Sequence, residues 1–316
     1  MCTCISSFTL RPTIPRTFTL RLRSTLVPNI LTVDSPGGRN IITNPAHSPE
    51  STIFFDAFFP TSEDGKLVTT ETIVYLPCLS RPKNNAKSSN LENFSKCSIR
   101  NFIVADYFGV GRSSGEFVDA TVSRWRDDAI HLIEHIKSVK KSGIANDGVV
   151  IVGAGVGGWV ALLVARLRPD LVRGVVGLAA DPDFTEELIW KSLSEQDKSE
   201  IMEKGSKIIE WGSTDYEISK SLIEDGRENL VLRGGKSSLA LECPVRLIHA
   251  VSDEEVPYST ALSLAEVIES WDVVCTLPKT GCHQLDDEGD FIRMREAVDE
   301  VFKNSDNYDL RSPASG

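Results

Sequence analysis

The sequence predicts an α/β fold built on a doubly wound, mainly parallel β-sheet. Two observations indicate it: apolar runs of strand length recur along the chain, and helical patterns separate them. Several of these runs are apolar at nearly every position, as strands covered on both faces must be. The predicted strands are residues 52–55, 73–76, 102–105, 149–152, 174–178, 245–249 and 273–277.

Helices are predicted between the strands, at residues 124–137, 159–167 and 261–269. The first of these, RWRDDAIHLIEHIK, spaces its apolar residues at intervals of three and four, the period of an amphipathic helix. Residues 184–242 break the alternation, because they are charged, follow a helical pattern and lack a strand of core character. We therefore expect a helical cap inserted between two strands of the sheet.

Composition narrows the classes of function. The 316 residues include 34 Lys and Arg against 45 Asp and Glu, so the formal charge is −11, which argues against nucleic-acid binding and against a polybasic membrane surface. Seven cysteines are scattered without a CxxC pair or a histidine at zinc-like spacing. They are expected to be free thiols in a reducing compartment, and neither a metal nor a cofactor is expected.

The N-terminal segment differs from the rest of the chain. Residues 1–33 hold four arginines and many hydroxyl side chains, and no acid precedes Asp34. This pattern is typical of an organelle transit peptide, here mitochondrial, and a flexible tail on a cytoplasmic protein is the alternative. The expected organisation is a transit peptide and flexible N-terminus at 1–39, one domain at 40–304 and a flexible tail at 305–316.

One uncharged stretch, residues 148–165, is eighteen residues long and lies at the edge of membrane-span length. Five of its residues are glycine, so a strand, a turn and a helix are expected instead. Within it, residues 153–158 match GxGxxG, the dinucleotide fingerprint, which requires an acid about 20 residues further on. Position 173 is Arg173, and the first acid after the next strand is Asp181. Dinucleotide binding through residues 153–158 is therefore kept only as an alternative.

A second glycine motif, GRSSG at residues 111–115, matches the GxSxG pattern of a nucleophile elbow. An elbow requires a strand directly before the serine and a helix directly after it. Ser113 instead follows the loop sequence DYFGVG, and residues 116–120 intervene before any helical pattern. Ser113 is therefore expected to be a loop residue.

Five pieces of sequence carry a resemblance to a known family. They are DYFGVG followed by SSG within 106–115, SRWRDD at 123–128, VGAGVGGW at 152–159, CPVRLIHAVSDEEVP at 243–257 and GCHQL at 281–285. In this order and context they resemble the α/β-hydrolase superfamily, and within it the mitochondrial palmitoyl-protein thioesterase and acyl-glucuronide esterase group. The resemblance runs from about residue 73 to residue 301. It implies an α/β-hydrolase fold whose inserted helical cap forms an acyl pocket.

The resemblance also implies roles for particular residues. It places the nucleophile position at Gly155, so the serine is absent. Asp253 matches the family's acid and His283 its base, and the chain order of nucleophile, acid and base is the hydrolase order. The implied oxyanion donors are the backbone N–H groups of Val156 and Leu79.

The missing serine changes the expected chemistry. Glycine at position 155 offers no side-chain atom for acyl transfer through a covalent intermediate. In other enzymes, removing a triad serine costs roughly 10⁶-fold in rate. We therefore expect a weakened or non-catalytic relative of the hydrolases that act on palmitoyl-type esters and thioesters, with a small acyl ligand or an acylated protein as its partner.

Other routes to activity stay open. Cys78 stands where the family usually has glycine, and its thiolate can act as a displaced nucleophile if it lies near His283. Alternatively, the pair of Asp253 and His283 can activate water directly. Asp181 also follows a strand and is a second candidate for the acid.

The remaining histidines are expected to have structural roles. His249 lies at the end of a strand and is expected to be satisfied by its neighbours. His131 and His135 share one helical face, but no third ligand is near them in sequence, so a metal site is not expected there.

Overall fold

A β-sheet covered by helices on both faces forms the centre of the molecule. The computed structural model describes residues 41–43, 51–62, 67–79, 83–138, 148–211 and 214–306, so the predicted transit peptide and residues 307–316 of the predicted tail lie outside it. The described strands are β1 (Ile41–Thr43), β2 (Thr52–Phe58), β3 (Thr72–Leu76), β4 (Asn101–Ala105), β5 (Val149–Ala154), β6 (Val172–Leu178), β7 (Ser206–Trp211), β8 (Thr214–Ser219), β9 (Leu239–Ala240), β10 (Val245–Ile248), β11 (Ile268–Glu269) and β12 (Val273–Thr276). The described helices are α1 (Ala86–Ser98), α2 (Val122–Ser138), α3 (Val156–Leu167), α4 (Glu195–Lys204), α5 (Lys220–Glu228), α6 (Ser259–Val267) and α7 (Glu288–Ser305).

Eight of these strands form the main sheet, in the order β1-β2-β4-β3-β5-β6-β10-β12. The pairs β1/β2 and β2/β4 are antiparallel, and the remaining pairs are parallel. The predicted doubly wound, mainly parallel sheet is confirmed. Strand order reverses around the centre of the sheet, which is where open α/β sheets place their ligand sites.

The side chains of the central strands alternate between two hydrophobic cores. Val149 and Ile151 of β5 belong to the core that contains α2, α3 and α6. Val150 and Val152 belong to the opposite core, with α1 and α7. Since both faces are covered, every residue of β3, β4 and β5 is buried, which explains their nearly continuous apolar sequences.

The predicted elements each overlap an observed one, and the structure adds others. Helix α1 was not predicted because it has few apolar residues for a pattern to reveal. It begins with a capping box, in which the Asn85 side chain accepts the Ser88 N–H and the Ser88 hydroxyl accepts the Asn85 N–H. Polar capping therefore signals this helix better than hydrophobic periodicity does.

The cap segment, defined as residues 184–242, differs from the expectation of a helical cap. It contains α4, α5 and a π-helical turn at Thr185–Trp190, but β7 and β8 also form an antiparallel hairpin within it. The prediction of helix through the sequence KIIEW was wrong. Gly205 ends α4 in the left-handed conformation, with φ of 93°, and the chain turns there into β7.

A chain of aromatic contacts anchors the hairpin to the sheet's helical layer. The Phe184 ring meets the Trp159 ring of α3 edge to face, with centroids 5.7 Å apart. On its other side Phe184 stacks on Trp211 of β7 at 5.4 Å, and Trp211 contacts Tyr216 of β8 at 6.0 Å. Such aromatic pairs add about 0.5–1.5 kcal/mol each beyond their burial, so the hairpin is held firmly over the carboxyl edge of the sheet.

The uncharged stretch at residues 148–165 forms β5, the turn at Gly155 and α3. Across the described part of the chain, we find no helix with the length and apolar character needed to cross a membrane.

Helix α3 begins in direct contact with the backbone at the end of β3. A Cβ atom on Gly157 would lie 2.2 Å from the carbonyl oxygen of Leu76 and 2.7 Å from that of Pro77. A Cβ atom on Gly153 would lie 2.2 Å from the carbonyl oxygen of Gly157. No side chain fits at either position, so close backbone packing accounts for Gly153, the first glycine of the GxGxxG pattern, and for Gly157, which lies at one of its variable positions.

Gly157→Ala is expected to lower the free energy of unfolding by about 1–3 kcal/mol, because the added methyl group meets backbone that cannot move independently. The measurement is urea unfolding followed by circular dichroism. Gly289→Ala in α7 is the matched control, since its added Cβ meets only side-chain atoms of Asp287 and Arg293, at 3.2 and 3.3 Å. Equal effects of the two substitutions would contradict the packing account.

Candidate active site

Loops from five strands meet at the carboxyl edge of the sheet. One loop follows each of β3, β5, β6, β10 and β12. They carry, in chain order, Cys78 and Leu79, Gly155 and Val156, Asp181, Asp253, and His283. The parallel strands therefore bring together residues that are far apart in sequence.

Asp253 accepts hydrogen bonds at both of its carboxylate oxygens. Oδ1 accepts the backbone N–H groups of Glu255 and Val256, each at 2.9 Å. Oδ2 accepts His283 Nδ1–H at 2.9 Å and lies 3.1 Å from His249 Nε2. Burial opposes ionisation, but these hydrogen bonds outweigh it and hold the pKa of Asp253 well below its usual range.

His249 lies beside the acid, and the prediction that its neighbours satisfy it holds only for Nε2, because Nδ1 is buried without a hydrogen-bond partner among the described residues. Its ring is fully buried, and Nε2–H also donates to the carbonyl oxygen of Val256 at 3.0 Å. The second imidazole thus braces the loop that carries Asp253.

His283 is oriented by Asp253. Because Nδ1 is used by the carboxylate, Nε2 is the nitrogen left to face a reacting group. Burial disfavours the charged ring, but the interactions with Asp253 and Cys78 outweigh it and raise the pKa of His283 to about 11. The ring is therefore an imidazolium at neutral pH in this site.

Gly155 occupies the turn between β5 and α3, with φ of 54° and ψ of −123°. Its N–H donates to the Leu178 carbonyl at 3.0 Å, and its carbonyl accepts Gly158 N–H at 2.9 Å. This strand–turn–helix geometry is that of a nucleophile elbow, where the residue at the turn is held in a strained conformation. The resemblance placed the nucleophile at this residue, and the turn is in the expected position.

Cys78 fills the space beside Gly155. A Cβ atom on Gly155 would lie 2.3 Å from the Cys78 sulfur and 3.3 Å from the Cys78 Cβ. The sulfur of residue 78 thus takes the volume that a side chain at residue 155 would need.

Asp181 has no hydrogen-bond partner at either carboxyl oxygen within the described residues, although it is only 1% exposed. Its Oδ2 lies 3.6 Å from the position of a Cβ on Gly155. Burial raises the pKa of Asp181 to about 8, so the carboxyl is largely protonated at neutral pH. Sequence reasoning considered Asp181 only as a second candidate for the acid, but His283 is hydrogen-bonded to Asp253.

Tyr107 is a site residue that sequence reasoning did not single out. Its hydroxyl is buried without a partner among the described residues. Burial and the nearby Tyr75, Cys78 and Asp181 raise its pKa well above the usual value. The available signal was its place in the DYFGVG motif directly after β4.

The predicted oxyanion donors lie at the ends of two loops. Val156 is the first residue of α3, so its N–H has no intrahelical acceptor and points from the positive end of the helix dipole. Leu79 is buried in the turn after Cys78. Their role as oxyanion donors stays a prediction.

Ser113 lies away from the elbow and has a structural role. Its hydroxyl donates to the Asp106 carbonyl at 2.7 Å and accepts the Phe54 N–H at 2.9 Å. Ser114 likewise accepts the Thr52 N–H at 2.8 Å. The serines of the GRSSG motif therefore fasten the loop after β4 to strand β2.

We find no group of three metal-ligating side chains within the described ranges. His131 and His135 lie on α2, and burial together with His131 lowers the pKa of His135.

Two cavities adjoin the site. One of about 20 Å³ is bordered by Cys78, His283 and the hairpin aromatics Trp211 and Tyr216, and it has room for about one water molecule. The other, of about 210 Å³, is bordered by Asp181 and by residues of the cap segment and the α6 loop. Its apolar lining comprises Pro182, Leu188, Leu232, Val256 and Pro257.

A doubly wound sheet whose carboxyl edge holds an elbow and an Asp–His pair defines a protein of the α/β-hydrolase class. The chain is 30% identical over 236 residues to the mitochondrial palmitoyl-protein thioesterase ABHD10 of Bos taurus, covering 72% of each. The corresponding protein of Mus musculus is 30% identical over 237 residues, which are 73% of this chain and 75% of the relative. The chain belongs to the ABHD10-like group of the α/β-hydrolase superfamily.

Solved structures agree with this placement. A putative hydrolase from Agrobacterium vitis S4 matches with a TM-score of 0.69 at 30% identity, over 79% of this chain and 93% of that one. The alpha/beta hydrolase domain-containing protein 10 from mouse matches in fold with a TM-score of 0.69 at 24% identity, over 84% and 98%. No protein-family model matches the chain.

Asp181→Asn is expected to change how stability depends on pH. The ordinary pKa of 3.8 applies in the unfolded chain and about 8 in the folded one, so unfolding releases a proton between these values. The contribution of Asp181 to the free energy of unfolding therefore falls as pH rises, by up to about 1.4 kcal/mol per pH unit. Asparagine does not ionise, so the substitution removes this pH dependence. Urea unfolding at several pH values from 5 to 8 should show that the free energy of unfolding of the variant increases relative to that of the parent as pH rises.

Asp215→Asn, at an exposed position of β8, is the control and should show no such trend. A difference between Asp181→Asn and the parent that is the same at every pH would contradict the assignment of a buried, protonated carboxyl.

Proposed function

We propose that this protein hydrolyses acyl esters or thioesters without a serine nucleophile, with His283 moving the protons of the reaction and Asp253 holding its ring. The hydrogen bond of 2.9 Å from His283 Nδ1 to Asp253 Oδ2 carries this proposal. It fixes the ring so that Nε2 is free for a reacting group, the arrangement that acyl transfer requires of a base and its orienting acid.

The substrate class proposed is an acyl thioester or ester of the palmitoyl type, either small or attached to a protein. The names of the relatives support it, since they are palmitoyl-protein thioesterases. The cavity beside Asp181 has a lining that is both polar and apolar, and its apolar part, which includes Leu188, Leu232 and Val256, can contact an acyl chain. We take this cavity as the start of the acyl pocket between cap segment and sheet.

Mitochondrial localisation is part of the proposal. The relatives are named as mitochondrial proteins. The arginine-rich, acid-free residues 1–33 of this chain support the same compartment.

A non-catalytic acyl-binding protein is the second candidate. The absence of a side-chain oxygen at Gly155 favours it, because the usual covalent route is closed. The space beside Gly153, the first glycine of the GxGxxG pattern, is filled by backbone atoms of the protein itself, which disfavours the dinucleotide alternative.

His283→Ala is expected to reduce turnover of p-nitrophenyl octanoate and octanoyl-CoA by about 10²–10⁴-fold, the usual contribution of general acid–base catalysis. Asp253→Asn should also reduce turnover, because it loosens the ring orientation. The measurement is steady-state hydrolysis by the full chain.

His131→Ala, in α2, provides the matched control and should leave turnover unchanged. A parent chain that turns over neither substrate would instead support the non-catalytic candidate, and turnover that is unaffected by His283→Ala would overturn the role proposed for His283.

A further inference from the structure

We propose that Cys78 is the nucleophile of this site, carried on the loop after β3 instead of on the elbow after β5. The inference rests on the proposed function and names the atom that would form the covalent acyl intermediate. Residue 155 has no side chain, and the side chain of residue 78 fills the space that a side chain at residue 155 would occupy.

The sulfur of Cys78 lies against the elbow residue. A Cβ on Gly155 would lie 2.3 Å from Cys78 Sγ, which is far inside van der Waals contact. The sulfur therefore lies where a side chain of the elbow residue would project. A nucleophile at this place is beside the N-terminus of α3, where Val156 N–H is available for a developing oxyanion.

The sulfur of Cys78 lies beside the imidazole of His283. Both residues border the same small cavity, and the thiol interacts with the ring, whose Nδ1 is bound to Asp253. Cysteine, histidine and a carboxylate in series are the components of a thiol-dependent acyl-transfer site. The thiolate is the nucleophilic form of cysteine.

Three of the four other described cysteines lack this environment, and the fourth, Cys282, is exposed at the position directly before His283. Cys243 is 3% exposed, and burial raises its pKa to about 12. Burial also raises the pKa of Cys275, whose thiol donates to the Ala261 carbonyl at 3.4 Å. Cys97 lies on α1 and is exposed, so it offers a comparison thiol remote from the site.

Two buried hydroxyl-bearing groups lie next to the sulfur. Asp181 and Tyr107 are buried without partners among the described residues, and both lie near Cys78. Burying unpaired polar groups is costly, so their retention here indicates a ligand that pairs with them. The protonated carboxyl of Asp181 and the phenol of Tyr107 can each donate to an ester or thioester oxygen.

The reaction then proceeds in two balanced steps. The Cys78 thiolate attacks the acyl carbon, a C–S bond forms, the bond to the leaving thiol or alcohol breaks, and His283 gives its Nε2 proton to the leaving group. This produces an acyl-Cys78 thioester and a neutral imidazole. His283 then takes a proton from water as the water oxygen bonds to the acyl carbon, the C–S bond to Cys78 breaks, and the carboxylic acid departs.

The charge of His283 fits this order of events. An imidazolium has no lone pair at Nε2 with which to accept a proton from water, so direct water activation is disfavoured as the first step. It is, however, the partner that a thiolate needs, and donating its proton to the leaving group makes it the base for the second step. The cavity of about 20 Å³ next to Cys78 and His283 has room for the water.

The test uses the full chain and two probes, p-nitrophenyl octanoate and octanoyl-CoA. Cys78→Ala is expected to lower turnover of both by at least about 100-fold, while Cys97→Ala leaves it unchanged. Intact-mass analysis after rapid acid quench should find one octanoyl group on the parent, and peptide mapping should place it at residue 78. In the parent, iodoacetamide at pH 6 should alkylate Cys78 at least about tenfold faster than Cys97. These two measurements do not depend on the folding of any variant.

A positional exchange gives a second, independent test. Gly155→Ser alone must displace the sulfur, so little reaction with a fluorophosphonate is expected. Combining Gly155→Ser with Cys78→Gly vacates that space, and labelling at position 155 together with ester turnover should appear. Equal labelling of the single and double variants would contradict the shared volume on which the proposal rests.

The outcomes separate the two proposals. Loss of turnover in both His283→Ala and Cys78→Ala, with an acyl group at residue 78, supports both. Loss in His283→Ala with full turnover in Cys78→Ala overturns the role of Cys78 and leaves the hydrolase function standing. Turnover in neither parent nor variants overturns the proposed function, and an acyl-labelled Cys78 that never turns over would overturn hydrolysis alone.

Discussion

Backbone-to-backbone contact between helix α3 and the end of strand β3 is the constraint on which the site depends. Because no Cβ fits at Gly157 beside the carbonyl oxygens of Leu76 and Pro77, the elbow and the loop after β3 are held in one relative position. That position sets Cys78 against Gly155. The location of the sulfur therefore follows from this close backbone packing.

The protonation state of each carboxyl group in the site is set by its burial and its hydrogen-bond partners. Asp253 accepts two backbone N–H groups and lies against two imidazoles, so it stays ionised although its side chain is fully buried. Asp181 has the same degree of burial and no partner among the described residues, so it keeps its proton. Acid–base sites commonly pair one neutral carboxyl group with one ionised carboxylate. Surroundings that move the two pKa values apart let one group act as an acid and the other as a base or a stabilising charge.

The fold was largely predictable from the sequence, and the site only in part. Burial on both faces leaves a continuous apolar signature, so the strands of the main sheet were found by pattern alone. Asp253 and His283 were found by resemblance to a family, and the structure places them 2.9 Å apart. The hairpin of β7 and β8 was missed because one left-handed glycine, Gly205, overrides a helical pattern. The contact between residues 78 and 155 leaves no trace in local periodicity, and its one clue was a cysteine where the family usually has glycine.

The shared space between residues 78 and 155 also links their evolution. With cysteine at 78, serine at 155 is crowded out, and with glycine at both positions the site is left hollow. Whether a substitution at residue 78 or 155 stabilises or destabilises the site therefore depends on the residue at the other position, a relation called sign epistasis. Any route between a serine elbow and the present pair passes through one crowded or one hollow intermediate. Surveys that score hydrolase competence by the elbow residue alone would discard such chains, whereas scoring the two positions jointly would retain them.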